Sequence, residues 1–165
     1  MPATRDDLMA YLAGLGIETA TVEHPPLHTV EESRALRGEI AGAHTKNLFV
    51  KDKKDAVFLI TAPEDAALDL KQVHHAIGAS GRVSFGKPEL MMELLGVLPG
   101  SVTPFGLLND TGGRVTMILD KRLMEADAIN CHPLVNTATT TISPAGLMAF
   151  LRATGHEPKV VALAG

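Results

Sequence analysis

The sequence predicts an α+β fold in which helices flank a mixed, mainly antiparallel sheet. Three observations carry this prediction. Short β-prone runs and helix-period runs alternate irregularly along the 165 residues, two of the β-prone runs are joined by a tight polar turn, and glycine or proline marks most junctions. In a regular parallel fold, strands and helices would alternate more evenly along the chain. The hairpin and the irregular order therefore favour a mainly antiparallel sheet with helices packed outside it.

The composition is that of one ordinary globular domain, which we expect to span residues 1–165. Hydrophobic residues make up 45% of the chain, enough at this length for a single sizeable core. The sequence has one cysteine, no long apolar run and a polar, acidic amino terminus. These features favour a reducing cytoplasm and give no reason to expect a membrane partner.

The charge balance limits how the chain could bind nucleic acid. The net charge is −4 at pH 7 and aromatic residues make up only 4% of the sequence. A broad basic face or a platform of base-stacking rings is therefore not expected. Any contact with nucleic acid must be local.

The first segment predicts a helix followed by a strand. Thr4 and Asp7 have the spacing of a helix-opening cap. Apolar residues recur after them at helical spacing: Leu8, Tyr11, Leu12 and Leu15. Residues 18–23 then predict a strand, which ends at His24-Pro25-Pro26 because proline removes backbone donors.

A short helix is expected next, from Thr29 to Arg37. Thr29 and Glu32 have capping-box spacing, so the simplest role for Thr29 is that of an N-cap. A loop of small residues, 38–43, separates this helix from the next β-prone run.

The central feature is a predicted hairpin with a lysine at its entrance. Residues 47–50 are β-prone, 51–55 form a polar turn, and 56–61 are a second β-prone run. We therefore expect Lys46 at the end of a strand. A cation held there by a rigid sheet could be aimed at an anionic or carbonyl group, although a lysine that merely ends a strand has the same pattern.

The middle of the chain predicts a helix from Asp69 to Ile77 and another from Pro88 to Leu95, with a short strand, 82–85, between them. The first helix contains His74 and His75. Neighbours on a helix do not share a face, so we expect these two side chains to point in different directions and to make a poor metal site.

The loop 96–106 combines three glycines and two prolines in eleven residues. Proline fixes φ and glycine lets backbone approach a ligand closely, so such a loop can converge amide donors on one point, as an oxyanion site requires. A purely structural turn between helix and strand would have the same composition.

The last third predicts short elements in quick succession. They are a turn at 109–113, a strand at 114–119, helical turns at 121–126, a loop joining a strand at 129–136, a helix at 145–154 capped by Ser143-Pro144, and a strand or tail at 160–163. Thr137, Thr139 and Thr141 are expected to place their hydroxyls on one face.

Cys131 and His132 are adjacent in an extended run. Extended neighbours point to opposite faces, so this pair does not predict a cysteine nucleophile activated by histidine. His132 could instead position water as a neutral imidazole, or it could be a satisfied structural histidine.

A family resemblance connects several of these motifs. The run Thr45-Lys46-Asn47-Leu48-Phe49 is followed about fifty residues later by Gly100-Ser101-Val102-Thr103-Pro104, and His24-Pro25-Pro26 and Thr29-Val30-Glu31-Glu32 precede both. Together they resemble the YbaK-type family of prolyl-tRNA synthetase-associated editing domains, most closely its free-standing members. The resemblance implies a curved, barrel-like sheet and a deacylase of mischarged tRNA(Pro), with alanyl-tRNA(Pro) as substrate.

The resemblance also implies roles for individual residues. It places Lys46, Gly100, Ser101 and His132 in catalysis. It places Thr29, Val30, Asn47, Val102, Thr103 and Pro104 against the substrate. Lys46 would contact the terminal adenosine or its phosphate, the loop would contact the amino-acid carbonyl, and His132 or Asn47 would align the substrate or a water that the ribose 2′-hydroxyl helps to activate.

Two alternatives stay open at this point: a deacylase of cysteinyl-tRNA(Pro), and a module that binds an aminoacyl or nucleotide end without cleaving it. No cofactor or metal is expected. The expected partner is the acceptor end of aminoacyl-tRNA, and the resemblance allows a transient association with prolyl-tRNA synthetase. The sequence does not indicate an oligomeric state.

Overall fold

The computed structural model describes residues 2–26 and 40–163. Its helices are α1 (Arg5–Gly14), α2 (Val73–Ile77), α3 (Pro88–Leu95), α4 (Lys121–Met124) and α5 (Pro144–Ala153), with 3₁₀ helices at Pro99–Ser101 and Pro104–Asn109. Its strands are β1 (Thr19–Glu23), β2 (Ala43–Lys51), β3 (Val57–Pro63), β4 (Ser84–Phe85), β5 (Val115–Asp120), β6 (Ile129–Cys131), β7 (Ala138–Ile142) and β8 (Lys159–Val161). The predicted helix from Thr29 to Arg37, with Val30, lies outside the described residues.

The strands form one mixed sheet in the order β1-β7-β6-β2-β3-β5-β8, with β4 paired to β2. The pairs β1–β7, β6–β7, β2–β3 and β2–β4 are antiparallel, whereas β2–β6, β3–β5 and β5–β8 are parallel. The predicted α+β class with a mixed, mainly antiparallel sheet is confirmed. Within the described ranges β1 and β8 remain at opposite edges, so the sheet is not closed into a barrel.

Helices whose starts and ends depend on local signals form close to where the sequence predicts them. Thr4 and Asp7 form the predicted capping box at the start of α1, and α3 has the predicted bounds with Gly96 in the left-handed conformation at its end. The helix expected from Asp69 begins only at Val73, because residues 70–72 form a turn that Asp69 stabilises by accepting a hydrogen bond from the Lys71 amide.

The hairpin is also confirmed, but the position of Lys46 within it was predicted wrongly. Strand β2 begins at Ala43, so Lys46 lies inside the strand opposite Ala62 rather than at its end. The extra residues are strand because Ala43 and His44 pair with β6, more than eighty residues along the chain. A local pattern contains no signal for such a pairing.

The two faces of the sheet carry different clusters. Phe49, Leu59 and Met117 belong to the larger core, which also contains the inner sides of α1, α3 and α5. Val50 and Ile60 belong to a second cluster, which α2 covers. Since side chains alternate along a strand, Lys46 shares its face with Val50 rather than with Phe49.

The prediction that His74 and His75 diverge is wrong. Their ring centroids lie 4.0 Å apart with an interplanar angle of 36°, because rotamers on this single-turn helix bring the rings together. Within residues 2–26 and 40–163 no group of three or more His, Cys, Asp or Glu side chains could hold a metal ion. No described helix is long and apolar enough to cross a membrane.

A buried carboxylate fixes the end of the glycine-rich loop. Asp110 follows the second 3₁₀ helix and is 3% exposed. Its oxygens accept hydrogen bonds from the amides of Arg114 (3.1 Å) and Val115 (2.8 Å) and from His156 Nε2 (2.8 Å). This contact joins the loop to β5 and to the segment that follows α5.

Replacing Asp110 with alanine should destabilise the protein strongly. The change leaves the Arg114 amide, the buried Val115 amide and the buried His156 imidazole without their acceptor, and breaking a buried pair in this way costs about 3–5 kcal/mol. Urea unfolding measures the loss. The matched control is Glu93→Ala, which removes an exposed ion pair with Arg114 and should cost only about 0–1 kcal/mol. Equal losses in the two variants would contradict the anchoring role of Asp110.

Candidate active site

A hydrogen-bonded polar face runs across β7 and β6. Thr141 Oγ1 donates to Asn130 Oδ1, and Asn130 Nδ2 donates to the carbonyl of Ala41 at 3.0 Å. Thr139 Oγ1 lies 2.9 Å from His24 Nε2. Thr139 and Thr141 thus share one face, as predicted. Thr140 points to the other.

His132 joins this face next to His24, with 6.4 Å between the ring centroids. Its Nδ1 lies 3.0 Å from the carbonyl oxygen of Ala138. A carbonyl only accepts, so Nδ1 carries the hydrogen, and in the neutral ring Nε2 is an acceptor.

Burial lowers the pKa of His132 below the usual histidine range. The hydrogen bond to Ala138 acts in the opposite direction, and the nearby His24 adds a smaller lowering effect. A neutral imidazole with a free Nε2 lone pair can accept a proton from water.

Lys46 and His132 both lie just beyond the parallel pair of β2 and β6. His44 is in register with Asn130, and Lys46 and His132 follow two residues later on the same face. The strands remain adjacent beyond that pair, because Thr45 Oγ1 lies 3.8 Å from Cys131 Sγ. The Lys46 ammonium donates to the carbonyl oxygen of Ala66.

Cys131 is unsuited to nucleophilic attack. It points into the larger core, is 3% exposed, and burial raises its pKa to about 12. The thiol is therefore protonated at neutral pH and lies on the face opposite His132.

The glycine-rich loop approaches the segment that carries His132. A Cβ built at Gly100 would lie 3.3 Å from Asn136 Nδ2, between β6 and β7. Ser101, Thr103 and Pro104 are buried, and the Thr103 hydroxyl accepts a hydrogen bond from the amide of Phe105 at 3.3 Å. Gly100 is thus the loop residue that lies beside the connection between β6 and β7, whereas Thr103 caps the second 3₁₀ helix.

Asn47 and Val102 line a cavity away from the polar face. The cavity has a volume of about 260 Å³ and is also lined by Phe49, Phe85, Gly86, Pro88, Met91 and Pro99. The Asn47 Oδ1 accepts a hydrogen bond from Thr61 Oγ1 at 2.6 Å. Since Asn47 alternates with Lys46 along β2, this cavity lies on the other face of the sheet from Lys46 and His132.

Comparison with known proteins decides the family. Residues 24–150, which begin directly after β1 and include β2 through most of α5, match the aminoacyl-tRNA editing domain. The chain belongs to the aminoacyl-tRNA editing domain family. This confirms the resemblance drawn from the motifs, and members of the family act on aminoacyl-tRNA.

Individual relatives of this editing domain cover nearly the whole chain. It is 40% identical over 159 residues to prolyl-tRNA synthetase associated domain-containing protein 1 of Danio rerio, covering 95% of this chain and 86% of that one. It is 32% identical over 157 residues to the prolyl-tRNA editing protein ProX of Acetoanaerobium sticklandii, covering 94% and 95%. The crystal structure of a "putative trans-editing enzyme for prolyl tRNA synthetase" shares the fold, with a TM-score of 0.74 at 23% identity over 100% of this chain and 99% of that one.

Sequence reasoning missed three polar residues of the candidate site: His24 as a neighbour of His132, Asn130 as the link between β6 and β7, and Asn136 beside Gly100. The only local signal was the position of His24 at a strand end before two prolines. The other two depend on strand pairing that no local pattern contains. Thr29 and Val30 lie outside the described residues.

The His132 ring should titrate below the ordinary histidine pKa of about 6.5, because burial disfavours its charged form. Ring-proton chemical shifts followed by NMR between pH 4 and 8 would show the midpoint. The unfolded chain binds this proton at a higher pH than the folded one, so acidification below about 6.5 should also lower the free energy of unfolding.

The His132→Gln variant, which cannot titrate, supplies the control for both measurements. Its free energy of unfolding should fall less over the same acid range. A wild-type midpoint at or above that of an unfolded histidine peptide would exclude the neutral imidazole inferred here.

Proposed function

We propose that this protein is a trans-editing hydrolase that deacylates mischarged tRNA(Pro), with alanyl-tRNA(Pro) as its principal substrate. The observation that carries the proposal is the neutral His132 on the polar face, with Lys46 two residues beyond the β2–β6 pair, as His132 is. Membership of a family that edits aminoacyl-tRNA, and the similarity to a protein named for prolyl-tRNA editing, support it.

The proposed reaction is hydrolysis of the aminoacyl ester by water. Nε2 of His132 aligns the water and accepts its proton as oxygen attacks the carbonyl carbon. The carbon–oxygen bond to the ribose then breaks, and the departing ribose oxygen takes up the proton that His132 accepted, which returns the imidazole to its neutral form. The products are free alanine and tRNA(Pro).

A protein nucleophile is not required for this chemistry. An aminoacyl ester is already activated, so positioning and oxyanion stabilisation supply most of the needed acceleration. The protonated, core-facing Cys131 agrees with attack by water. The ribose 2′-hydroxyl of the substrate is a further candidate for helping to activate that water.

Lys46 would hold the terminal adenosine or its phosphate. An ammonium has three donors, and the contact with Ala66 uses one of them while fixing the direction of the side chain. The other two remain for an anionic or carbonyl group on the polar face.

The loop Gly100 to Pro104 would stabilise the developing oxyanion with backbone amides. Gly100 and Ser101 are the closest candidates, because Gly100 borders the His132 segment. The remaining substrate contacts that we propose are Thr29, Val30, Asn47, Val102, Thr103 and Pro104, with Asn47 and Val102 acting through the cavity of about 260 Å³.

We further infer that residues 1–165 act as one editing domain without a metal or cofactor. A transient association with prolyl-tRNA synthetase would bring it to newly charged tRNA. The proposed location of the protein is the cytoplasm.

The substrate is tested by single-turnover hydrolysis of glycyl, alanyl, seryl, cysteinyl and prolyl esters on the same tRNA(Pro). We expect an optimum at alanine. Glycine loses a contact worth about 1–3 kcal/mol at most, and serine leaves a hydroxyl unpaired. Proline should be spared, because steric overlap in a close-packed pocket costs more than a lost contact.

Each outcome of this series has one meaning. An optimum at cysteine would assign the protein to cysteinyl-tRNA(Pro). Binding of the aminoacyl end without release of any amino acid would make it a non-catalytic module. Rapid cleavage of the prolyl ester would overturn the editing proposal.

Lys46→Ala should lower the single-turnover rate on alanyl-tRNA(Pro) by about 100-fold or more, the usual cost of losing one preorganised contact to the reacting group. The melting temperature should change little. Lys46→Arg should not restore the full rate, since a planar guanidinium cannot replace a point ammonium.

Lys51→Ala is the matched control for this prediction. Lys51 lies in the same strand, and its partner is the exposed Asp55 at 3.6 Å. Its removal should leave the rate unchanged. A fully active, normally folded Lys46→Ala variant would contradict the catalytic role of Lys46.

A further inference from the structure

Nearly all arginines of the described residues are neutralised by carboxylates. Arg5 pairs with Glu23, Arg114 with Glu93, Arg122 with Asp120 and Arg152 with Glu157. Within residues 2–26 and 40–163, Arg82 is the exception, since it is exposed and has no carboxylate partner. In a chain with a net charge of −4, an unpaired exposed guanidinium is available for an anion from outside.

Lys53 lies beside Arg82. Strand β4 pairs with β2 so that Lys51 is opposite Ser84, and two residues beyond that pair are Lys53 and Arg82. The Lys53 amide donates to the carbonyl of Ser80 at 3.2 Å. The side-chain stem of Lys53 covers Gly81, where a Cβ would come within 2.7 Å of it. The two exposed cations are therefore held side by side by backbone contacts.

Helix α2 adds two imidazoles to these cations. His74 Nδ1 is buried and has no hydrogen-bond partner among the described residues. Burial lowers the pKa of His74, and the positive charges of His75, Arg82 and Lys53 act in the same direction. The surroundings of His74 are thus electrostatically positive.

Lys159 completes the group at the end of α2. Its Nζ lies 4.0 Å from the place that a Cβ on Gly78 would take. It is exposed and has no ion pair within the described ranges. We call the set Lys53, His74, His75, Arg82 and Lys159 the α2 basic surface.

The acidic groups closest in sequence are held by other partners. Asp52 is buried, and its oxygens accept hydrogen bonds from the amides of Lys54, Ala56 and Ser80. Asp55 is paired with Lys51. Neither carboxylate is bonded to Lys53 or Arg82.

The α2 basic surface lies on the same face of the sheet as Lys46. Helix α2 covers the cluster that contains Val50, and Val50 shares its face with Lys46. Lys53 lies seven residues after Lys46, in the turn that follows β2, so the two are at most about 23 Å apart along the chain. A duplex is densely charged, with about one charge per 1.7 Å of axis in double-stranded DNA, so a duplex that extends from Lys46 toward α2 would present phosphates to this surface.

We propose that the α2 basic surface binds the phosphate backbone of an RNA duplex, namely the acceptor stem of the aminoacyl-tRNA substrate. The inference rests on the proposed function and adds to it the path of the stem along the sheet. The surface is small, which agrees with local recruitment of RNA by an acidic domain. Its Arg82 and Lys53 would contact phosphates without reading base sequence.

The test measures binding of an uncharged acceptor-stem minihelix by fluorescence anisotropy across a salt series. Wild type should give a shallow log–log slope, equivalent to about two to four phosphate contacts. Arg82→Gln should reduce the slope by about one. The double variant Lys53→Gln, Arg82→Gln should reduce it by about two and weaken binding roughly tenfold at low salt.

Arg114→Gln is the matched control. It removes one exposed guanidinium at the same end of the sheet, but that guanidinium is already paired with Glu93. Its affinity and slope should stay at the wild-type values. If Arg114→Gln lost as much binding as Arg82→Gln, the loss would reflect overall charge rather than this surface. That result would overturn the proposal.

Hydrolysis of an alanyl minihelix separates this inference from the proposed function. If both hold, the Arg82 variant raises KM with kcat unchanged. If the Arg82 variant hydrolysed the minihelix with an unchanged KM, the proposed RNA-binding role of the surface would be wrong and the proposed function would still hold. Minihelix binding that depends on Arg82, without hydrolysis by wild type, would support the surface and overturn the function. Binding to anionic vesicles but not to the minihelix would identify a lipid surface and overturn the RNA proposal.

Discussion

The candidate site depends on the short parallel pairing between β2 and β6. Only Ala43 and His44 of β2 are paired with Ile129 and Asn130, yet this contact joins segments more than eighty residues apart. Lys46 and His132 each lie two positions beyond its last pair, His44 with Asn130. Closing so long a loop has an entropic cost that grows only slowly with length, and the burial of Ile129 and Cys131 in the larger core offsets it.

The chemistry of the polar face follows from its hydrogen bonds. Ala138 fixes the imidazole of His132 with Nε2 as the acceptor, and burial keeps the ring neutral. Ala66 fixes the ammonium of Lys46. A neutral base and an oriented cation, with no available nucleophile in Cys131, suit hydrolysis by water better than covalent catalysis.

Sequence reasoning succeeded where the determining contacts are local. The capping box of α1 involves residues three apart, α3 is bounded by Pro88 and Gly96, and the hairpin needs only its turn. It failed for the position of Lys46, whose strand is lengthened by a distant partner. The approach of His24 to His132 likewise depends on β1 pairing with β7, which local periodicity cannot reveal.

The most direct test of the central claim, that Lys46 and His132 act together on one ester, is a double-mutant cycle. Single-turnover rates on alanyl-tRNA(Pro) would be compared for Lys46→Ala, His132→Ala and the double variant, all shown to be folded. Residues that act as a unit are strongly non-additive, so the double variant should be about as slow as the slower single variant. Multiplication of the two separate losses would show that the residues act independently, and would contradict the shared site inferred from the pairing of β2 with β6.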